Sequence, residues 1–328
     1  MSVALEMDAV VEELRSAQKF LLTTHENPDG DALGSLLGMH ELLKQLGKDS
    51  YMFLGAHEFP LPWEYRQMPL DEVQNEPPAD LDVRTVVFLD CGNIDRMPVD
   101  FLRRDGVHIV NVDHHHDNTR FGTVNLVDPD ASCTAEIVWE LAKELGAELT
   151  PAMAEPLYVG LVTDTGKFMY TNTSARSHRM AAELIEAGVD AHRIYRRLYE
   201  ELPFARVQLL SRALNALQRF DGGVVTATSL TRADYEETGA VESDSEGIVD
   251  HLRSVQGTKV AVLVRELVSD DRSGLHKVSM RATDGTVDVS RIARGLGGGG
   301  HRQAAGATSD LSLEELFETI RGGVREQV

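Results

Sequence analysis

Short apolar runs alternate, through the first half of this chain, with longer stretches in which apolar residues recur at helical spacing. Residues 20–24, 50–54, 85–90 and 107–112 read as strands. Residues 8–19 read as a helix with Val10, Val11, Leu14 and Ala17 on its apolar face. Further helices are expected over 32–46, 134–145 and 174–187, closed by Gly47, Gly146 and Gly188, and Pro151 stands where another helix opens. This alternation predicts an α/β domain over 1–190, built on a doubly wound, largely parallel sheet. Residues 60–82, with Pro60, Pro62, Pro69, Pro77 and Pro78, are expected to be a long irregular excursion. Residues 190–220 read as helical, divided by Pro203, and 191–221 as a connector between domains. After Asp221 the pattern changes. Strands at 223–230, 258–267 and 275–281 and helices near 290–296 and 312–321 predict a smaller α+β domain over 222–328.

Composition narrows the function classes. The chain has 328 residues, 42% hydrophobic and 26% charged, with a formal net charge of -21. So acidic a chain is not expected to coat duplex DNA, because non-specific binding rests on neutralising phosphates with Lys and Arg. The run Arg193, Arg196, Arg197, Arg206, Arg212 and Arg219 reads as a solvated face. No apolar run approaches the roughly 20 residues of a membrane span, and no membrane partner is expected. The acidic, amphipathic N-terminus lacks the features of a signal peptide, so a cytoplasmic location is expected by default. Cys91 and Cys133 are too few for a disulfide framework or a four-sulfur zinc site.

The chemistry sits where three predicted strands end. The first runs into His25-Glu26-Asn27-Pro28-Asp29-Gly30-Asp31, the third ends at Asp90, and the fourth runs into Asp113-His114-His115-His116-Asp117. Asp164 follows another apolar run, just before Gly166. In open α/β sheets ligands bind at the carboxyl ends of the strands. Gly30 is expected to turn the chain so that carboxylates on either side converge. Taken alone, Asp31 could be a helix N-cap before Ala32. Taken together, His25, Asp29, Asp31, Asp90, His114 and Asp164 supply imidazoles and enough carboxylates to offset two divalent cations. Two such ions suit an in-line phosphoryl displacement. Oxygen-rich ligation with some imidazole favours Mn2+ or Mg2+ over structural zinc. In the second domain, Gly297-Gly298-Gly299-Gly300-His301-Arg302 could wrap an anion with backbone N–H groups, or be a flexible loop without a ligand. Ser279 and Arg281 could face the same ligand, and Arg281 could equally lie on the surface of an edge strand.

These motifs, in this order, resemble the DHH/DHHA1 phosphoesterase family and most closely its nanoRNase branch, oligoribonucleases and pAp phosphatases of the NrnA type. The resemblance rests on His25-x-x-Pro28-Asp29-Gly30-Asp31, Asp90, Asp113-His114-His115, Asp164, and Gly297–His301 with Ala304-Ala305-Gly306. It implies a two-manganese hydrolase, with Mg2+ or another divalent ion as substitute. His25, Asp29 and Asp90 would hold one ion, and Asp31, Asp90, His114 and Asp164 the other. His115 would act on the scissile phosphate, with Asp113 orienting a histidine. Arg96, Ser279, Arg281, Gly298, Gly299, Gly300 and His301 would bind substrate. The implied substrates are short RNA, linear dinucleotides such as pApA, and pAp, with cyclic di-AMP as the alternative. Relatives often form homodimers. His116 is given no role. The alternative of another class is a sensor that holds a dinucleotide without cleaving it, and the intact ligand set with His115 speaks against that.

Overall fold

The computed structural model describes residues 2–328 apart from Pro60, Pro62, Arg66, Gln67, Pro98, Asp105, Asp270, Asp271 and His301. The chain divides into two compact units, Met1–Glu201 and Leu202–Val328. The break falls after Glu201, so the helical segment 191–221 is shared between them.

The first unit runs α1 (Val3–Ser16), β1 (Lys19–Thr23), α2 (Gly30–Gln45), β2 (Asp49–Met52), β3 (Thr85–Leu89), β4 (Ile109–Asp113), β5 (Val124–Val127), α3 (Thr134–Glu144), α4 (Pro151–Asp164), α5 (Ala175–Glu186) and α6 (Ala191–Tyr195), the last continued by a π-helical turn over Arg196–Glu200. The strands form a parallel sheet in the order β2-β1-β3-β4-β5. The winding reverses between β1 and β3, and a crevice opens at such a switch point beyond the strand ends. One face of the sheet (Phe20, Leu22, Val87, Leu89, Val110, Val112) packs on α1 to α4. The other (Leu21, Val86, Phe88, Ile109) is covered by short segments carrying Met97, Phe101 and Leu102.

Several elements depart from the sequence expectation. α1 starts at Val3, and Lys19 belongs to β1, where its ammonium pairs with Asp80 at 2.7 Å. The short edge strand β5, with Asn125 inside it, carries too little apolar periodicity to be read. The excursion over 60–82 has only brief 3-10 turns and one bridge, Phe53 to Gln74, among its described residues.

The second unit runs α7 (Phe204–Asn215), β6 (Gln218–Phe220), β7 (Val225–Leu230), α8 (Arg232–Thr238), α9 (Ile248–Arg253), β8 (Val260–Glu266), β9 (His276–Ala282), α10 (Val289–Gly295), β10 (Gly299–Gly300), β11 (Ala304–Ser309) and α11 (Leu313–Arg325). Its mixed sheet has the order β10-β11-β9-β8-β7-β6. α10 and α11 cover one face, through Ile292, Leu316 and Ile320, and α7 to α9 the other, through Leu209, Tyr235 and Leu252. Pro203 does divide the arginine-rich helix, but residues 218–220 pair with β7 as a strand instead of continuing it. No helix among the described residues is long and apolar enough to cross a membrane.

One packing detail places the site. α2 and α4 run antiparallel with glycine between them: a methyl on Gly30 would meet Thr163, one on Gly34 would fall on the Pro156 carbonyl and 2.9 Å from the Gly160 nitrogen, and one on Gly38 would meet the Leu157 side chain. Gly30 is thus needed for close helix contact. Its φ is not positive, so the sharp turn expected of it is not what it provides. Gly34→Ala is expected to cost about 1–3 kcal/mol, because the added methyl meets backbone that cannot yield. Gly38→Ala should cost less, because Leu157 can rotate away. Urea unfolding of the two variants checks the order.

Candidate metal centre

Each acid or histidine at the switch point is held by its own local geometry. β1 ends at Thr23, and the loop that follows brings in His25, which is 3% exposed. The His25 Nδ1–H donates to the Glu26 carbonyl at 2.7 Å, leaving Nε2 as the free donor, 3.6 Å from Asp90 Oδ2. Asp29, not Asp31, is the N-cap of α2: its Oδ1 accepts from the Asp31 and Ala32 amides at 3.0 and 3.1 Å. Asp31 faces the other way. Its carboxylate accepts from the Thr134 and Ala135 amides at 2.6 and 2.9 Å, at the N-terminus of α3, where free N–H groups favour an anion. Gly160 of α4 gives it room, since a methyl there would stand 2.8 Å from Asp31 Oδ1.

Asp90 follows β3 with φ +56, a left-handed conformation that a side-chain-bearing residue keeps only where its surroundings impose it. It is 2% exposed, and Thr134 Oγ1 donates to its Oδ1 at 3.0 Å. His114, just past β4, places Nε2 3.6 Å from Asp90 Oδ1 and 3.8 Å from Asp164 Oδ2. Asp164 is the last residue of α4, so it arrives on a helix end and not a strand end. Asn172 holds it, donating to its Oδ2 at 3.2 Å.

At metal–donor distances of about 2.0–2.2 Å, two donors on one ion stand roughly 3–4 Å apart, and the spacings found here fit that. Two groups have ligand atoms within 4.8 Å of one another: His25 with Asp29 and Asp90, as expected for one ion, and Asp31 with His114 and Asp164, which lacks the Asp90 expected to be shared with it. A third, Asp90 with His114 and His115, meets the same limit. It competes poorly, because the His115 Nδ1–H is committed to Asp113 Oδ1 at 2.7 Å. Asp113 is fully buried, and Asn118 donates to its other oxygen at 2.5 Å while also bonding Asn111 at 2.8 Å.

The electrostatics point to a missing positive charge. Burial, then the charges of Asp90, Asp164 and Asp29, push Asp31 well above the usual carboxylate range. Burial, opposed by His114 but joined by Asp90 and Asp29, pushes Asp164 up to about 7. Burial would raise Asp90 too, but His25, His114 and His115 hold it well below its ordinary value. Burial works against His115, yet its hydrogen bond to Asp113 and the charges of Asp90 and Asp113 raise it to about 9. Carboxylates crowded until some retain protons are the setting that divalent cations relieve.

Sequence reasoning missed Thr134, Asn118, Asn111 and Asn172, which orient the acids. Their spacing in sequence carries no signal, although Thr134 opens a helix. Arg96 closes the same loop, its carbonyl accepting from the Glu26 amide at 2.6 Å, and its charge acts on both His25 and His115. Of the arginines of 190–220, Arg193 and Arg197 pair with Glu155, Arg196 with Glu201 and Arg212 with Glu237, while Arg206 and Arg219 donate to backbone carbonyls.

In the second unit Ser279 and Arg281 share one face of β9. β9 lies between β11 and β8, so Arg281 is not on an edge strand. Opposite them on β11 stand Gly306 and Ala304. The glycine run forms an ordered hairpin with β11 rather than a flexible loop. Gly297 and Gly300 have φ +76 and +130, and methyls on Gly298 and Gly300 would press on the β11 backbone at 2.6 Å. Gly299 has open space around it. His301 lies outside the described residues.

Comparison with known proteins agrees with this layout. Residues 19–161 match the DHH family, N-terminal domain, and residues 223–326 the DHHA1 domain. The chain is 36% identical, over 98% of its length and 94% of the relative's, to the bifunctional oligoribonuclease and PAP phosphatase NrnA of Thermus thermophilus. It is 25% identical, over 97% of its length but 49% of the relative's, to the cyclic-di-AMP phosphodiesterase GdpP of Geobacillus thermodenitrificans. A crystal structure of an exopolyphosphatase-related protein from Bacteroides fragilis has the same fold, with a TM-score of 0.89, 24% identity, and coverage of 98% of this chain and 96% of that one.

The pKa directions define a test by metal removal. Folding raises Asp164 to about 7, so in chelator-treated protein stability should fall as pH rises from about 4 through 7 and the buried acid ionises. Folding raises His115 to about 9; its contribution is complete below about 6.5 and is lost as pH climbs through 9. Bound metal competes better as its ligands lose protons. The gap in Tm between manganese-loaded and chelated protein should therefore widen from pH 5 to pH 9. Calorimetry at three pH values checks this, and a constant gap would contradict the electrostatic account.

Proposed function

The chain belongs to the DHH/DHHA1 phosphoesterase family, a metal-dependent family, and on that footing we propose that it hydrolyses short oligoribonucleotides and linear dinucleotides such as pApA to nucleoside 5′-monophosphates, and removes the 3′-phosphate of pAp. The observation that supports this reading is the pair of ligand groups, His25 with Asp29 and Asp90 and Asp31 with His114 and Asp164, joined where His114 Nε2 comes within 3.6 Å of Asp90 Oδ1. The name of a relative matched over nearly the full length of both chains supports the substrates. Cyclic di-AMP is the weaker alternative, since the relative named for it is matched over only half its own length.

In this reading His25, Asp29 and Asp90 hold one divalent cation and Asp31, Asp90, His114 and Asp164 a second, both manganese by preference. Such a pair supplies Lewis-acid charge at the phosphate and a nucleophile at neutral pH. His115 carries the remaining proton work. With Nδ1–H held by Asp113, whose hydrogen bond and charge favour the protonated ring against burial, His115 is suited to act as an imidazolium. Its Nε2–H is free to donate to the 3′-oxygen as the phosphorus–oxygen bond breaks. Arg96 binds a phosphate oxygen. In the second unit Ser279, Arg281, Gly298, Gly299, Gly300 and His301 bind the nucleotide away from the scissile bond.

Turnover of a panel with manganese tests this: pApA, a five-nucleotide RNA, pAp, cyclic di-AMP and pyrophosphate. AMP released from pApA and from the RNA is the expected result. Faster turnover of cyclic di-AMP would transfer the assignment to the alternative, and no turnover would reject a nuclease. Asp90→Ala should leave the circular dichroism spectrum unchanged and lower turnover by more than the roughly 10–100-fold typical of losing an outer-shell partner. Arg281→Ala should raise KM for pApA with kcat nearly unchanged.

A further inference from the structure

Just past Asp164 the chain makes a tight turn that the metal centre does not account for. The amides of Met169 and Tyr170 both bond back to the Thr165 carbonyl, at 3.0 and 2.9 Å, and Asn172 returns to Asp164. Gly166, Lys167 and Phe168 have φ +54, +64 and +64 in succession. Side-chain-bearing residues keep that backbone only where the surroundings over-determine it, and such strain gathers at ligand sites. The Phe168 ring anchors the turn by stacking on His178, with centroids 4.9 Å apart and planes 22° apart. Met169 and Tyr170 are thereby left 80% and 51% exposed. The Tyr170 ring lies directly over Gly166, where a methyl would stand 2.5 Å from it.

A second set of rings meets this turn. Lys167 Nζ sits 4.5 Å from the centre of the Tyr199 ring, and Tyr195 and Tyr199 are 5.2 Å apart, with Tyr195 40% exposed. Tyr199 lies in the π-helical turn over Arg196–Glu200, a local widening that recurs at functional sites. Burial, then Tyr170 and Tyr195, push its hydroxyl up, so the three side chains share one neighbourhood. Tyr65 links the group to the metal loop: its hydroxyl bonds the Gly30 amide, and both Asp29 and Tyr199 act on it. The turn that carries Tyr170 thus borders the acidic centre at Asp164, to which Asn172 ties it.

We propose that Tyr170 and Tyr195, backed by Tyr199 with Lys167 over one of its faces, are a nucleobase-stacking platform beside the metal centre, taking the base of a nucleoside phosphate whose phosphate lies among the acids. The proposal rests on the phosphodiesterase reading and adds how the base is held. Every base offers a π face, so stacking binds without reading sequence, as an enzyme that clears short RNA of any composition requires. Lys167 supplies a cation next to an acidic centre, in a chain of net charge -21.

The test separates base from sugar phosphate. AMP and ribose 5-phosphate are titrated by calorimetry into manganese-loaded wild type, Tyr170→Leu, Tyr170→Phe and Tyr199→Leu. Wild type and Tyr170→Phe should bind AMP at least roughly fivefold more tightly than ribose 5-phosphate, as one stacked base supplies. Both leucine variants should lose that preference. A leucine pair that keeps it, or a wild type that never shows it, would overturn the platform. Hydrolysis of pApA by wild type reports separately on the nuclease reading: AMP preference without hydrolysis sinks only the nuclease, and hydrolysis without AMP preference sinks only the platform.

Discussion

Gly34 lets α2 lie against the backbone of α4, with Gly30 and Gly38 making room for the Thr163 and Leu157 side chains, and the first unit's chemistry depends on that contact. The two helices are antiparallel, so the first turn of α2 and the last turn of α4 come together. That places Asp31 and Asp164, far apart in sequence, on one side of the crevice. Gly160 answers from α4 by leaving space for the Asp31 carboxylate. A larger residue at Gly34 would press on backbone that cannot yield and move a helix axis, and a metal centre tolerates little such movement.

With the helices placed, the remaining task is to hold like charges together. The fold does this with directed donors as well as with the histidines that face Asp90. Backbone amides at the start of α3 take Asp31, Thr134 takes Asp90, Asn172 takes Asp164, and Asn118 takes Asp113. Each donor fixes an orientation while leaving lone pairs free. The repulsion that remains shows in the raised pKa of Asp31 and Asp164. Such crowding suits a divalent cation, while Asp113 commits the Nδ1 of His115. The stretch from the end of α4 to Asn172 joins one acid of the centre, Asp164, to the tyrosine turn that follows it.

The second unit solves a different problem. Its glycines let β10 and β11 approach closely, and small residues opposite Ser279 and Arg281 keep that face of β9 uncrowded. On that face the Arg281 guanidinium stands 3.9 Å from Asp250 of α9.

The alternation of strands and helices, the switch of pattern after Asp221, and the clustering of His25, Asp29, Asp31, Asp90 and His114 at strand ends were all legible in the sequence. Apolar periodicity and strand-end position are local properties, and the family motifs lie along the chain in order. What periodicity could not reveal was decided by tertiary contacts. The short strands β5 and β6 are too brief to carry a pattern and exist because a neighbouring strand pairs with them. Asp29 and not Asp31 caps α2, because the N-terminus of α3 claims Asp31 from more than a hundred residues away in sequence. Thr134, Asn118 and Asn172 act on acids brought to them by folding, and nothing in their own neighbourhoods marks them. The sequence by itself determined which groups are present and at which strand ends. Only the tertiary structure decided which oxygen faces which donor, because that depends on how closely two helices can pack.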